Sequence, residues 1–195
     1  MDAEEIRRLQ DAWTAGWHDG GEAAGVEGLL TLVMANHRAN FDLWHEEDKA
    51  RDPGATDAAI TQVKRAIDGL NQRRNDLVEA MDEMLLGAAP AGSEGAPLHS
   101  ETPGMMIDRM SILTLKIFHT REQVERVDAT EAHRQRNAAR LRVLEEQCED
   151  LTLCLASLWR EVLGGTRRFR IYRQMKMYND PELNPAIYGS RRGGA

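Results

Sequence analysis

The chain has 195 residues, 42% of them hydrophobic and 29% charged, a balance that fits one folded domain with appendages and argues against an intrinsically disordered chain. The net charge of −7 is unevenly spread: from residue 165 onward seven Lys/Arg stand against two acids, making +5 there and leaving −12 upstream. An acidic body repels nucleic acid, and no apolar run has the length of a membrane span.

The first stretch, "MDAEEIRRLQ", is too polar and acidic for a secretory signal, so a cytoplasmic location is expected. Ile6, Leu9, Trp13 and Trp17 make an amphipathic stripe that predicts a short helix within residues 1–19, closed by the glycine-rich "DGGEAAG". A second helix is predicted from about residue 26 to residue 51, stopping at Asp52-Pro53 because a residue before proline avoids helical angles. The third begins at Thr56 or Asp57 and carries Ile60, Val63, Ile67, Leu70, Leu77, Met81 and Met84, with Arg74 in the gap of that line.

Residues 87–98, rich in Gly, Ala and Pro, read as a flexible, exposed linker inside a bundle domain of residues 26–163. Thr102-Pro103 then forms a good helix start, and the fourth helix runs to about residue 127. A fifth begins near Thr130 and carries Leu141, Leu144, Cys148, Leu151, Leu155, Leu158 and Val162 at three-four spacing up to Gly164-Gly165. Cys148 and Cys154 lie about 240° apart around that helix, which suits two reduced thiols rather than a disulfide or metal pair. Residues 164–195 are basic and aromatic, and a short helix followed by an extended tail packed on the bundle is expected. The fold class is therefore all-α, a bundle of about five helices.

The fourth helix is apolar nearly all round, the mark of a buried helix, yet Asp108, Arg109, Lys116 and His119 fall within about 100° of one another. Buried charges need partners, and two other helices offer polar faces at the same spacing. One carries His37, Asn40, Trp44, Glu47, Asp48 and Arg51; the other carries Lys64, Asp68, Asn71, Asn75 and Asp82. Three polar stripes beside three core faces predict a polar site inside the bundle, the same pattern being also that of solvated faces or of an ion-paired register lock.

Phosphate-loop, dinucleotide and nucleophile-elbow motifs are absent, no Cys/His spacing suits zinc, and the single D-x-x-H of Asp42 and His45 is too little for a di-iron site. All-α pyrophosphohydrolases of the MazG type present E-x-x-E and E-x-x-D carboxylates to Mg²⁺. Here Glu79 and Asp82 form an E-x-x-D, while the E-x-x-E half is missing.

"ETPG" (Glu101, Thr102, Pro103, Gly104) followed by "DRMS" (Asp108, Arg109, Met110, Ser111) resembles the ETPG and DRLS signatures of a bacterial family known as domain of unknown function 4254, with Met110 in place of its Leu. "NFDLWHEEDKAR", "IDGLNQRRND" and "KMYNDPELNPAIY" extend the resemblance. It implies an association with surface-polysaccharide or glycosyltransferase systems and leaves the activity open.

The expected function is a bundle-interior site for an anionic or phosphorylated small molecule, a nucleotide or nucleotide-sugar, with Mg²⁺ as its candidate companion. Asp108, His119 and Glu47 are the candidate catalytic residues, and Glu47, Asp48 and Asp108 the candidate metal ligands. His37, Asn40, Trp44, Arg51, Asn71, Asn75, Glu101, Arg109 and Lys116 are the candidate ligand-binding groups. The alternative is a non-catalytic helical adaptor, or a homo-oligomer formed through the long helices.

Overall fold

A computed structural model describes residues 1–21, 25–90, 95–175 and 182–185 of the chain. It is an all-α bundle of five helices: α1 (Ala3–His18), α2 (Leu29–Ala50), α3 (Asp57–Ala88), α4 (Pro103–Glu125) and α5 (Glu131–Leu163). Side chains one residue ahead fix four of the starts. Asp2, Thr56, Thr102 and Thr130 each accept from backbone N–H groups of the first turn that would otherwise have no partner. α2 has no such side chain: it follows Gly28, whose φ of 61° is left-handed, which places its start three residues later than the apolar pattern suggests. α5 ends where Gly164 and Gly165 turn the chain, with the Gly164 N–H on the Arg160 carbonyl and the Gly165 N–H on that of Val162.

α4 touches all four other helices, and α2 with α3 and α4 with α5 are the two broad pairings. That central position is why its sequence is apolar on nearly every side: Met106, Ile107, Met110, Leu115 and Ile117 are all buried. Around them close Ile6 and Trp13 of α1, Val33 of α2, Val78, Met81 and Leu85 of α3, and Cys148, Leu151, Leu155, Leu158 and Val162 of α5. α3 spans 32 residues against 22 in α2, so its first turns project beyond the core and Ile60 stays exposed.

The linker and the tail meet. Gly87 and Ala88 still belong to α3, and residues 91–94 lie outside the described residues. Beyond them, Leu98 and Arg168 form a parallel bridge, the Arg168 N–H donating to the Pro97 carbonyl and the His99 N–H to the Arg168 carbonyl. The Arg168 guanidinium also donates to the Ala96 carbonyl, so this end of the expected flexible segment is pinned. Phe169 then enters the core.

Arg173 pairs with Glu79 at 2.9 Å and Glu83 at 2.6 Å on α3, and Arg167 with Glu161 at 2.9 Å. The basic segment thus neutralises part of the acidic bundle. The short helix expected here is not formed between Arg167 and Met175, because the backbone is drawn to Leu98 and the side chains to α3. Lys176, Tyr178, Arg191 and Arg192, expected in the same tail, lie outside the described residues. No helix among the described residues is long and apolar enough to cross a membrane.

Candidate functional site

Asp108 leaves α4 towards α2. Its Oδ1 accepts from Asn36 Nδ2 and Asn40 Nδ2, both at 2.9 Å, and Arg74 of α3 stands 3.7 Å away. The Asn40 amide also donates to Ser111 Oγ at 3.0 Å. Ser111 Oγ lies 2.7 Å from His37 Nδ1, and His37 Nε2 lies 2.8 Å from Thr14 Oγ1 on α1. Thr14 donates to the Gln10 carbonyl at 2.9 Å, so its oxygen accepts from His37 Nε2–H, which leaves Nδ1 as acceptor for the Ser111 hydroxyl.

The result is one directed relay, Asn40 to Ser111 to His37 to Thr14 to Gln10, tying α2, α4 and α1 together. His37 is fully buried, and burial holds its pKa down at about 3, so the ring is neutral. Ser111 and His37 have the spacing of a nucleophile and its base, but both are sealed and neither lines the grooves described below. At the edge of the relay, Gln10 Oε1, Asn36 Oδ1 and Arg74 Nε are buried without a hydrogen-bond partner.

The "ETPG" stretch is a helix start locked onto α3. Thr102 caps α4 and also donates to Asp82 Oδ2, while the Gly104 N–H donates to Asp82 Oδ1 at 2.7 Å. A Cβ on Gly104 would lie 2.7 Å from both Asp82 Oδ1 and the Val78 carbonyl, so glycine is needed for the two helices to approach this closely. Burial raises the Asp82 carboxyl to about 6, against the lowering effect of the Thr102 and Gly104 bonds. Of the E-x-x-D pair, Asp82 is thereby occupied with α4, and Glu79 with Arg173.

The charged line on α4 fans out. Asp108 points inward, whereas Arg109 is exposed and ion-paired with Glu101, joining the first residue of "ETPG" to the second of "DRMS". Lys116 is also exposed, so two of the four expected buried charges are solvated. Long cationic stems can lie on an apolar helix and still reach water.

Two grooves flank Trp44. One, of about 360 Å³, is lined by Asn40, Trp44, Glu47, Asp48, Arg51 and Arg74, with Ile112 and Leu115 beneath. The other, of about 480 Å³, is lined by Trp44, Asp48, Lys116, His119, Asn137 and Arg140 among others. Trp44 and His119 stack at 4.6 Å. Glu47 is paired with Arg51 at 2.9 Å and Asp108 is bonded to the two asparagines, while Asp48 is exposed, so the three carboxylates do not share one set of contacts. Asn71 and Asn75 are half-buried, and neither side chain makes a hydrogen bond among the described residues; from α3 it is Arg74 that reaches Asp108. Glu101, Arg109 and Lys116 share a further groove of about 740 Å³ against α5.

Residues 30–171, carrying both signatures, match the family described as Protein of unknown function (DUF4254). The chain belongs to this family. No curated protein and no solved structure matches it. Within the DUF4254 match fall Asp108, Ser111, His37, Asn36, Asn40, Arg74 and Asp82, whereas Thr14 and Gln10 reach the relay from α1, ahead of the matched residues. Sequence reading meets Ser111 only as the last letter of "DRMS" and passes over Thr14, Gln10 and Asn36: uncharged polar residues on a core face do not draw attention. Arg74 had a signal, since it interrupts an apolar line.

Proposed function

We propose that this DUF4254 chain binds an anionic, phosphorylated small molecule of the nucleotide or nucleotide-sugar class in the groove between Trp44 and α5. The carrying observation is that Lys116 and Arg140 line this groove and neither has a carboxylate partner among the described residues, beside an aromatic face at Trp44. Unpaired cations suit phosphate oxygens, and an indole suits the face of a base or sugar.

In this reading His119 backs the Trp44 face by stacking on it, Asn137 serves as an orienting amide, and Arg51 and Arg74 extend the cationic surface into the adjoining groove. Glu47 and Asp48 offer oxygen ligands through which Mg²⁺ would accompany a phosphate. Asp108 acts indirectly, positioning Asn40 and Arg74.

A thermal-shift and calorimetric screen of nucleoside di- and triphosphates, nucleotide-sugars and inorganic phosphate, each with and without Mg²⁺, tests the reading. A saturable response in the parent that is lost in Lys116→Ala/Arg140→Ala is expected; no response to any of these compounds overturns it. The second reading, a helical adaptor or homo-oligomer, draws support from the exposed apolar side chains Val143, Leu153 and Leu163 on α5. Light scattering of the full chain, which would give a mass above the monomer, tests that one.

A further inference from the structure

His18 at the end of α1, His45 on α2 and His119 on α4 come together beyond the relay. One ring nitrogen of each lies within 4.8 Å of those of the other two, and no other group of three His, Cys, Asp or Glu is this close among the described residues. The ring centroids stand 5.0 Å apart for His18 and His119, 5.3 Å for His18 and His45, and 5.8 Å for His45 and His119.

Two of the rings are already oriented as metal ligands are. His18 Nδ1 donates to the Thr14 carbonyl at 2.8 Å, and His119 Nδ1 donates to Glu122 Oε2 at 2.8 Å. A carbonyl or carboxylate on Nδ1 fixes the tautomer and leaves Nε2 with its lone pair, the arrangement found behind metal-bound imidazoles. On both residues Nε2 is buried and has no hydrogen-bond partner. Aromatic packing restrains the rings further: His18 stacks on Phe118 at 4.3 Å, His119 on Trp44 at 4.6 Å, and His45 meets Phe41 edge-on at 4.5 Å.

We propose that His18, His45 and His119 form a site for one divalent transition-metal ion, with Zn²⁺ the ion whose coordination this set matches. Three imidazoles in an aromatic shell suit Zn²⁺ and its borderline neighbours, whereas Mg²⁺ and Ca²⁺ require oxygen ligands that the triad lacks. Burial, with His18 and His119 alongside, lowers the pKa of His45 and so keeps it in the neutral, ligating form. Zn–N bonds of about 2.05 Å in a tetrahedron put the nitrogens about 3.3 Å apart, so the rings must draw together by roughly 1.5 Å at most, a small side-chain rotation.

Three protein ligands leave a fourth position for water. The inference does not rest on the phosphate reading, since phosphate can fail to bind while the metal binds, and the reverse.

The test uses the full chain, freed of any histidine tag and stripped with a chelator, titrated with Zn²⁺ against a chromophoric competitor and with Co²⁺ by visible absorption. One equivalent per chain, tetrahedral Co²⁺ bands and a rise in Tm with Zn²⁺ are expected. The double variant His45→Gln/His119→Gln, checked for native helicity by circular dichroism, should lose the site. Glu122→Gln, which touches only the His119 Nδ1 contact, should weaken Zn²⁺ at least tenfold. Absence of a one-equivalent site in the parent, unchanged binding in the double variant, or unchanged affinity in Glu122→Gln would each overturn the proposal.

Discussion

The two histidine clusters are built on the same three helices. Thr14, His37 and Ser111 supply the relay; one turn on along α1 and two turns on along α2 and α4 stand His18, His45 and His119. An aromatic layer separates them, Trp17 lying 5.2 Å from His37 and 5.3 Å from Phe41, and Phe41 4.5 Å from His45. In the first cluster, small hydroxyl groups stand on both sides of the imidazole and satisfy both nitrogens. In the second, the same helices bring imidazoles against one another, and two Nε2 atoms are left over. A histidine with both nitrogens bonded is a piece of architecture; a group of adjacent rings with unbonded nitrogens has chemistry to spare.

The sharpest way to break this contrast is to remove the satisfied histidine. His37→Ala leaves Ser111 and Thr14 without partners and opens a cavity, so it should cost about 4 kcal/mol in urea denaturation. A loss under about 1 kcal/mol would mean that the relay holds nothing.

The next effect is one of pH. The His37 pKa lies near 3 in the fold against 6.5 ordinarily, so its contribution to stability is whole above pH 6.5 and is lost as pH falls towards 3. Asp82 has the opposite sign. Its carboxyl is raised to about 6 from 3.8, so its contribution is present at low pH and is lost as pH rises through 6. Between about pH 4 and 6 the two slopes, each about 1.4 kcal/mol per pH unit, oppose one another. Asp82→Asn should therefore expose the His37 slope, with the free energy of unfolding falling by about 2 kcal/mol more than in the parent as pH drops from 6 to 4. A midpoint profile parallel to that of the parent would contradict the Asp82 assignment.

Smaller again is Asp108→Asn. The substituted side chain can still offer an oxygen to Asn36 and Asn40, but Arg74 loses its nearby carboxylate. Because both groups keep some contact with water, about 1–2 kcal/mol is expected, between the values for exposed and buried pairs. Stabilisation on neutralising Asp108 would instead point to repulsion among acids that the geometry does not contain.

The smallest effect belongs to the second cluster. With no metal present, His119→Gln gives up only the Glu122 contact and ring stacking, and should shift stability by less than about 1 kcal/mol. A thermal scan after chelation measures it, and a loss as large as that of His37→Ala would erase the distinction.

Helices were readable because their ends are chemically marked: Thr102-Pro103, Thr130 and Gly164-Gly165 name α4 and α5 almost to the residue. The segment after α5 was not, since "RRFRIYRQ" has helical residues whose fate is decided by Leu98, Glu79 and Glu83, far away in sequence. At the site, angular position on α4 placed Asp108, Arg109, Lys116 and His119 on one side. It could not reveal that α2 covers Asp108 while Arg109 and Lys116 meet solvent. The relay depends on which hydroxyl faces which ring, and the triad on the mutual register of α1, α2 and α4, so the D-x-x-H of Asp42 and His45 does not announce it and His18 belongs to no motif. Neither is encoded by a spacing along the chain.

The bridge between Leu98 and Arg168 joins the chain just ahead of α4 to the chain just past α5, positions some seventy residues apart. The α4–α5 hairpin is thereby a ring, fastened at its base by two backbone hydrogen bonds and by the Phe169 side chain in the core. Fraying of α5 from its C-terminal end must first unfasten that ring, so the helix end behaves as part of a cooperative unit rather than as a loose terminus. The amide hydrogens of His99 and Arg168 should then exchange with solvent at matched rates, slower than those of the neighbouring exposed turns, and both should accelerate together when Phe169 is replaced by alanine.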